Sequence, residues 1–299
     1  NWFLHSTDGG ATWGKVAGDQ SSGDEFYCRG GTSGLSEMIY AEGKWTAIGG
    51  VADPYDGTGV HTSACNSSDG SIWSNKPATD AAYADAQFSG IVHNGTDYVA
   101  IGRNPASTGA TTQCLHSISS DGITWPVTPS YCKTLSSPLT VNTQPNGIHY
   151  ANGIYFITGS NALLGPVFSR KADITDTVTN WNPVLSTFQR VDKIIHDGTK
   201  YLVAGTIANK ASVAYSVDLV NWTYVTVSRS SNMTDIGYDN TGGYIAIGTG
   251  GIMLTSTDGV NWTEQVSGTT SPLYSLLWDA TAANWVVVGF GGVALTVEP

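Results

Sequence analysis

A short motif recurs six times along this 299-residue chain: a Ser or Thr, an acidic turn, then a tryptophan. The copies read STDGGATW (Ser6 to Trp13), SSDGSIW (Ser67 to Trp73), SSDGITW (Ser119 to Trp125), the degenerate ADITDTVTNW (Ala172 to Trp181), SVDLVNW (Ser216 to Trp222) and STDGVNW (Ser256 to Trp262). The tryptophans stand 60, 52, 56, 41 and 40 residues apart, and running on from Trp262 through the C-terminus to Trp13 adds 50. A chain closed on itself therefore has units of about 50 residues, the length of a four-stranded blade. An even repeat over the whole length argues for one domain, residues 1–299, with a shared core.

A second periodic element lies between these copies. It is an apolar strand, a turn and another apolar strand ending in glycine, as in EMIYAEGKWTAIGG, IVHNGTDYVAIG and IIHDGTKYLVAG; the terminal glycines are Gly49, Gly102, Gly159, Gly205, Gly248 and Gly289. Four turns, Glu42-Gly43, Asn94-Gly95, Asn152-Gly153 and Asp197-Gly198, are of the kind that accepts positive φ in tight hairpins. Each unit then reads as strand A, hairpin, strand B, connection, strand C, the acidic turn, and strand D following the tryptophan. No run of ten residues has a helical period, which makes the chain all-β.

Composition narrows the setting. The chain has 36 glycines, 12% charged residues and a net charge of -11 from 13 basic and 24 acidic side chains. Short strands and tight turns suit that balance, and disorder does not. A nucleic-acid or anionic-membrane partner needs a clustered basic surface, which the few scattered Lys and Arg do not supply. No stretch of 18 apolar residues exists to span a membrane. The chain opens at Asn1 without Met or a signal-peptide core, which fits a processed or excised chain. Cys28, Cys65, Cys114 and Cys132 match no zinc spacing and read as two disulfides in an oxidising compartment. Pairing Cys28 with Cys65 and Cys114 with Cys132 keeps each bridge inside one unit, although four cysteines allow three connectivities.

The Ser-Asp-Trp motif resembles the Asp-box, or BNR, repeat of sialidase-like β-propellers and of propellers of the photosystem II assembly-factor type. Ser6 to Trp13 carries the full S-x-D-x-G-x-T-W pattern, four copies are one residue shorter, and Ala172 to Trp181 is the poorest. The resemblance implies a six-bladed β-propeller of four-stranded antiparallel blades, with seven blades as the alternative. The final blade would be closed by both termini, because the N-terminal WFLHSTD and the C-terminal GGVALTVEP both match strand C. It also implies that Asp8, Asp69, Asp121, Asp218 and Asp258 cap their own turns, while Trp13, Trp73, Trp125, Trp222 and Trp262 pack between blades.

In such a blade the A-B and C-D turns share one plain face, and the B-C and D-A connections share the other. The longest connections fall in the first three units, in GGVADPYDGTGVHTSAC, GRNPASTGATTQC and GSNALLGPVFSRKADI, and between strands D and A. Long insertions on a rigid scaffold are where binding residues concentrate. This loop face carries acids, among them Asp19, Asp24, Glu25, Asp53, Asp56, Asp80 and Asp85, and aromatics, Phe26, Tyr27, Tyr55, Tyr83, Phe88 and Tyr131. Rings that stack on sugars and carboxylates that accept hydroxyl hydrogen bonds make a glycan site, and the same mix makes a protein-binding rim. Asp53, Tyr55, Asp56, Tyr83, Asp85, Tyr27 and Tyr131 are the candidate ligand-binding residues. DPYDG (Asp53 to Gly57) could hold calcium but lacks the D-x-D-x-D-G pattern.

The sialidase resemblance implies three arginines on the substrate carboxylate, a Tyr/Glu nucleophile pair and an acid Asp. Arg29, Arg103 and Arg170 lie on loop-face connections, and Glu25 with Asp53 or Asp56 would supply the carboxylates, yet no Arg-Ile-Pro motif opens the chain. Two acids at a suitable separation would also serve another glycosidase. The six histidines lack metal-site spacing, and His93 and His196 hold a repeat position that other units fill with Tyr or Trp. The reading is a non-catalytic binding propeller, extracellular or on a cell or virion surface, that recognises a glycan or a surface protein without a metal or cofactor. A glycoside hydrolase and a structural component of a larger assembly are the alternatives.

Overall fold

The computed structural model describes residues 4–6, 12, 14–15, 35–52, 60–71, 73–75, 87–104, 113–125, 130–131, 133–134, 137–138, 143–161, 165–174, 182–184 and 187–298. They form antiparallel sheets, each from strands consecutive in sequence. The first is Leu35–Ala41, Lys44–Ala52, Val60–Ser67 and Ser74–Asn75; the second is Gln87–His93, Tyr98–Asn104, Gln113–Ser119 and Ser130–Tyr131. The third is Thr143–Ala151, Ile154–Asn161, Gly165–Lys171 and Asn182–Pro183; the fourth is Arg190–His196, Tyr201–Ile207, Lys210–Ser216 and Thr223–Ser230. The fifth is Met233–Tyr238, Tyr244–Gly248, Ile252–Ser256 and Thr263–Val266, and the sixth is Leu273–Asp279, Asn284–Gly289 and Ala294–Val297. Leu4–His5 pairs with Gly14–Lys15, and Lys133–Thr134 with Ser137–Pro138. The chain packs as two compact units: Asn1–His5, Gly14–Leu164 and Arg170–Asn182 in one, and Ser6–Trp13, Gly165–Ser169 and Pro183–Pro299 in the other.

Within each unit the cores lie between successive sheets. Ile48, Ala64, Phe88, Ile91, Tyr98, Ala100 and Leu115 join the first two sheets. Leu202, Ala204, Val213, Met233, Ile236, Ala246 and Leu254 join the fourth and fifth, and Ile245, Ile247, Met253, Leu273, Trp285 and Val287 join the fifth and sixth. Strand B is covered on both faces, which is why Tyr201 to Thr206 and Tyr244 to Gly248 are buried without alternation.

One irregularity recurs in all six strands A. Between Leu35 and Glu37, Phe88 and Gly90, Pro145 and Gly147, Val191 and Lys193, Met233 and Asp235, and Leu273 and Ser275, the register shifts by one residue. The residue before each shift pairs with the terminal glycine of strand B, for example Met233 with Gly248. The bulge drives a strand A carbonyl into that glycine. A Cβ on Gly102, Gly205 or Gly248 would lie 2.2, 2.2 or 2.1 Å from the carbonyl oxygens of Gln87, Arg190 and Asn232. At Gly248 φ is -167°, which any residue can adopt, so it is the close approach that excludes a side chain.

At the opposite end the hairpins divide. Glu42-Gly43 and Asn152-Gly153 are two-residue turns with both φ positive, at 51° and 76°, and 49° and 76°. His-Asn-Gly-Thr-Asp and His-Asp-Gly-Thr-Lys instead make wider loops, in which the Asn94 and Asp197 side chains accept the N–H groups of Thr96 and Asp97, and of Thr199 and Lys200. Each hairpin is closed by a pair of rings in contact: Tyr40 with Trp45, His93 with Tyr98, Tyr150 with Tyr155, His196 with Tyr201 and Trp278 with Trp285, all tilted, and Tyr238 stacked on Tyr244. His93 and His196 therefore pack within their own hairpins, where their Nδ1 atoms accept the Gly95 and Gly198 N–H groups.

The four complete Asp-boxes described share one geometry. In the last, the Ser256 Oγ accepts the N–H groups of Asp258 and Gly259 at 3.2 and 2.9 Å, and Asp258 Oδ1 accepts those of Val260 and Asn261, both at 2.8 Å. Trp262 donates its indole N–H to the Gly259 carbonyl and packs into the core between the fourth and fifth sheets. The boxes at Ser67, Ser119 and Ser216 repeat the Ser and Asp contacts. Asn221 and Asn261 each donate Nδ2 to the second oxygen of the box Asp, which gives these asparagines a part in the turn.

His116, on strand C of the second sheet, is a buried base. Burial and the neighbouring Lys171 charge push its pKa down to about 4, against a hydrogen bond to the Ile174 backbone.

Three outcomes are expected. Gly248→Ala should cost about 3 kcal/mol through the clash at Asn232, against about 1 kcal/mol for Gly268→Ala, which has open space and only its positive φ; urea melts giving equal losses would contradict the bulge argument. Ser256→Ala should cost about 1–2 kcal/mol by orphaning two N–H groups, read by the same melts. Because folded His116 resists the proton its unfolded form takes up from 6.5 downward, wild-type stability falls as pH drops from 6.5 towards 4. The stability gap between wild type and His116→Gln should then shrink by about 3 kcal/mol over that window, and a gap constant with pH would refute the assignment.

Candidate functional site

The bulged start of strand A, the end of strand B and the start of strand C lie at one end of each sheet, away from the hairpin turns. The connections at this end are uneven. Residues 53–59 and 105–112 separate strands B and C in the first two sheets, against 208–209, 249–251 and 290–293 in the last three. Residues 16–34 and 76–86 lead into the first two strands A, against 184–189, 231–232 and 267–272 later. In the third sheet only 162–164 separate strands B and C. The long insertion expected there is taken up by the strands themselves.

Asp53, Tyr55, Asp56, Tyr83, Asp85, Tyr27 and Cys28 fall in these long connections, outside the described residues; Asp8, Trp13 and Cys132 also lie outside the described residues. Tyr131 ends an edge strand opposite Leu115. Cys65 and Cys114 are both disulfide-bonded and buried on strands C of the first and second sheets. Phe88, counted among the loop-face aromatics, is a core residue instead: it is 3% exposed and its ring centroid lies 6.3 Å from that of Trp125. It occupies the position opposite Gly102 where the bulge turns a side chain inward. Arg103 donates Nε to the Gln87 side chain at 2.9 Å.

Many of the described carboxylates hold the scaffold. The box acids accept backbone N–H groups, and the N–H groups of Asn221 and Asn261 hold Asp218 and Asp258 well below the usual carboxylate range. Asp197 accepts Lys200 Nζ and the Tyr244 hydroxyl, both at 2.7 Å, clasping the fourth hairpin to the fifth sheet. Asn94 reaches Tyr155, and the Tyr98 hydroxyl reaches the Ala41 carbonyl, in the same way. Among the described residues no group of three or more His, Cys, Asp or Glu is placed to hold a metal ion.

The strand A starts hold polar residues that the repeat pattern did not single out. Glu37 accepts the Ile91 N–H at 2.8 Å, and Asp235 accepts the Leu276 N–H at 3.0 Å, each from the next sheet. Ser89 and Thr234 donate to the carbonyls of Pro145 and Leu273, again in the next sheet, at 2.6 and 2.8 Å. Asp192 occupies the same bulge position as these two hydroxyls and is paired with Arg190. Burial, outweighing the Arg190 charge, pushes its pKa up to about 6. The signal was present in the sequence as a column, Ser36, Ser89, Asn146, Asp192, Thr234 and Tyr274, largely polar inside apolar strands.

No protein-family model matches the chain, and no curated protein sequence does. Solved structures do. YCF48 from Cyanidioschyzon merolae superposes with a TM-score of 0.64 at 16% identity, over 99% of this chain and 88% of that one. An α-L-arabinofuranosidase from Fusarium graminearum, in complex with an iminosugar inhibitor, matches with a TM-score of 0.54 at 14% identity, over 88% of this chain and 90% of that one. A sialidase from Trypanosoma rangeli, in complex with the inhibitor DANA, matches with a TM-score of 0.54 at 10% identity, over 95% of this chain and 55% of that one. At such identities the likeness establishes the fold: the chain is an all-β protein of the β-propeller kind shared by the sialidase-like and photosystem II assembly-factor propellers.

Proposed function

We propose that residues 1–299 form a single six-bladed propeller that binds a glycan or a surface protein through the loop face of its first three blades, and does so outside the cell or on a cell or virion surface. The observation that carries the reading is the unevenness of that face. Its long connections gather in the first two sheets, while the acids described elsewhere are engaged by the scaffold. Asp53, Tyr55, Asp56, Tyr83, Asp85, Tyr27 and Tyr131 supply the aromatic and acidic contacts, with calcium at Asp53 and Asp56 as an optional aid. Disulfides pairing Cys28 with Cys65 and Cys114 with Cys132 would tie the connections to strands C. Closure of the last blade by both termini belongs to the same reading; the sixth sheet has strands A, B and C, and Gly14–Lys15 pairs with Leu4–His5 in a sheet of its own.

Sialidase and arabinofuranosidase structures among the neighbours favour a second reading, a glycoside hydrolase using Glu25 with Asp53 or Asp56. One experiment separates the two. Selective binding on a glycan array, with and without calcium, should disappear in the Tyr55→Ala/Asp56→Ala/Tyr83→Ala triple variant, and a variant that binds as wild type does would sink the site. Turnover of a fluorogenic glycoside that vanishes with Glu25→Gln would replace binding with hydrolysis. A blank array with recovery in a stoichiometric complex would move the ligand to a protein.

A further inference from the structure

The extra residue of each strand A bulge faces the seam to the next sheet where its contacts are described. Ser89 Oγ donates to the Pro145 carbonyl, and Thr234 Oγ1 to the Leu273 carbonyl; Pro145 and Leu273 are the residues just before the neighbouring bulges. In the fourth sheet this position is Asp192, and the corresponding carbonyl across the seam belongs to Met233. A hydroxyl always has a proton to donate here, whereas a carboxylate is an acceptor only and can take the hydroxyl's part only when protonated.

We propose that folded Asp192 keeps a proton into weakly acidic pH, where a free carboxyl has lost it, and donates it to the Met233 carbonyl, so that the seam between the fourth and fifth sheets is a pH-sensitive joint that loses this bond towards neutral pH. Asp192 is 7% exposed, and burial alone disfavours its charge. On its own strand, Arg190 Nε donates to Oδ1 at 2.6 Å, but that guanidinium is 46% exposed and its charge is screened by water. Across the seam stands Asp235, which accepts the Leu276 N–H and the Ser275 hydroxyl, with Lys193 Nζ at 3.9 Å. Strand B of the same sheet places Gly205 and Thr206 here, and neither titrates. A second carboxylate in the seam adds repulsion to the burial, and the raised pKa of Asp192 agrees with this geometry.

A carboxyl that holds its proton more tightly folded than unfolded adds stability that is present below 3.8 and is lost as pH rises towards about 6. The slope is opposite to that of His116, so the test compares variants at each pH. Asp192→Asn keeps the shape and supplies a permanent donor, and Asp192→Ser restores the residue of the second sheet. Both should melt higher than wild type near neutral pH, with the gap closing towards pH 4. The Asp192 carboxyl carbon, followed by 13C NMR on the wild-type chain, should titrate with a midpoint near 6. A midpoint at or below 3.8 overturns the proposal whatever the variants do to folding, and so does a stability gap that does not change with pH.

Discussion

The contact on which the sheets depend, seen at Gly102, Gly205, Gly248 and Gly289, is the approach of a carbonyl at the start of strand A to the last glycine of strand B. A regular strand sends residues two apart to the same face. Here residues three apart share a core: Phe88 with Ile91, Met233 with Ile236, and Leu273 with the partly buried Leu276. Only an extra residue between them allows this, and the bulge supplies it. The bulge also turns the extra side chain towards the seam, where Ser89 and Thr234 find the next sheet. Without the glycine the carbonyl has no room and the extra residue cannot be accommodated. A slip of one residue would then exchange the two faces of strand A.

Apolar contact between sheets is strong but undirected. The seams described here add polar ties at the hairpin end and at the bulge end, and those between the first and second and the second and third sheets have both. At the hairpin end a turn residue meets the first tyrosine of the next strand B, through Tyr98, Tyr155 and Tyr244. At the bulge end a hydroxyl or carboxylate meets the next strand A, through Ser89, Glu37, Thr234 and Asp235. Each bond satisfies a backbone or hydroxyl group that burial would otherwise penalise, so its loss costs more than its formation contributes. Two separated ties fix both the spacing and the slide of one sheet against another, which interdigitated side chains alone leave soft.

What could be read from the sequence follows from how local the physics is. The Asp-boxes and Asn-Gly or Asp-Gly hairpins were legible because their hydrogen bonds close within two to four residues, so the turn chemistry is written in the motif itself. The strand B glycines were visible as a repeat, but their cause was not, because the carbonyl they meet lies 15 to 17 positions away at the start of another strand, as from Gln87 to Gly102 or Pro272 to Gly289. Phe88 was misplaced for the same reason: the bulge breaks the alternation and leaves an apolar spacing of three that matches neither a strand nor a helix long enough to recognise. Asp192 and Asp235 escaped notice because an acid inside an apolar strand gains its meaning from a neighbouring sheet.

The same division bears on function. A residue that closes a turn or a seam cannot leave that bond to meet a ligand without the cost of an orphaned partner, which removes the box acids, Asp197 and Asp235 from contention. On the reading proposed above, recognition falls to the long connections, whose candidate residues include Asp53, Asp56 and Asp85. Binding and hydrolysis differ in what they ask of those acids. A sugar-binding rim tolerates carboxylates at many separations, because each accepts its own hydroxyl, whereas glycoside cleavage requires two held at one of two narrow distances. Cys65 and Cys114, disulfide-bonded and buried on strands C, give the neighbouring chain fixed points of attachment. Attachment limits where an insertion can go without setting the separation of two side chains along it, and that demand is met more easily by a binding surface than by a catalytic pair.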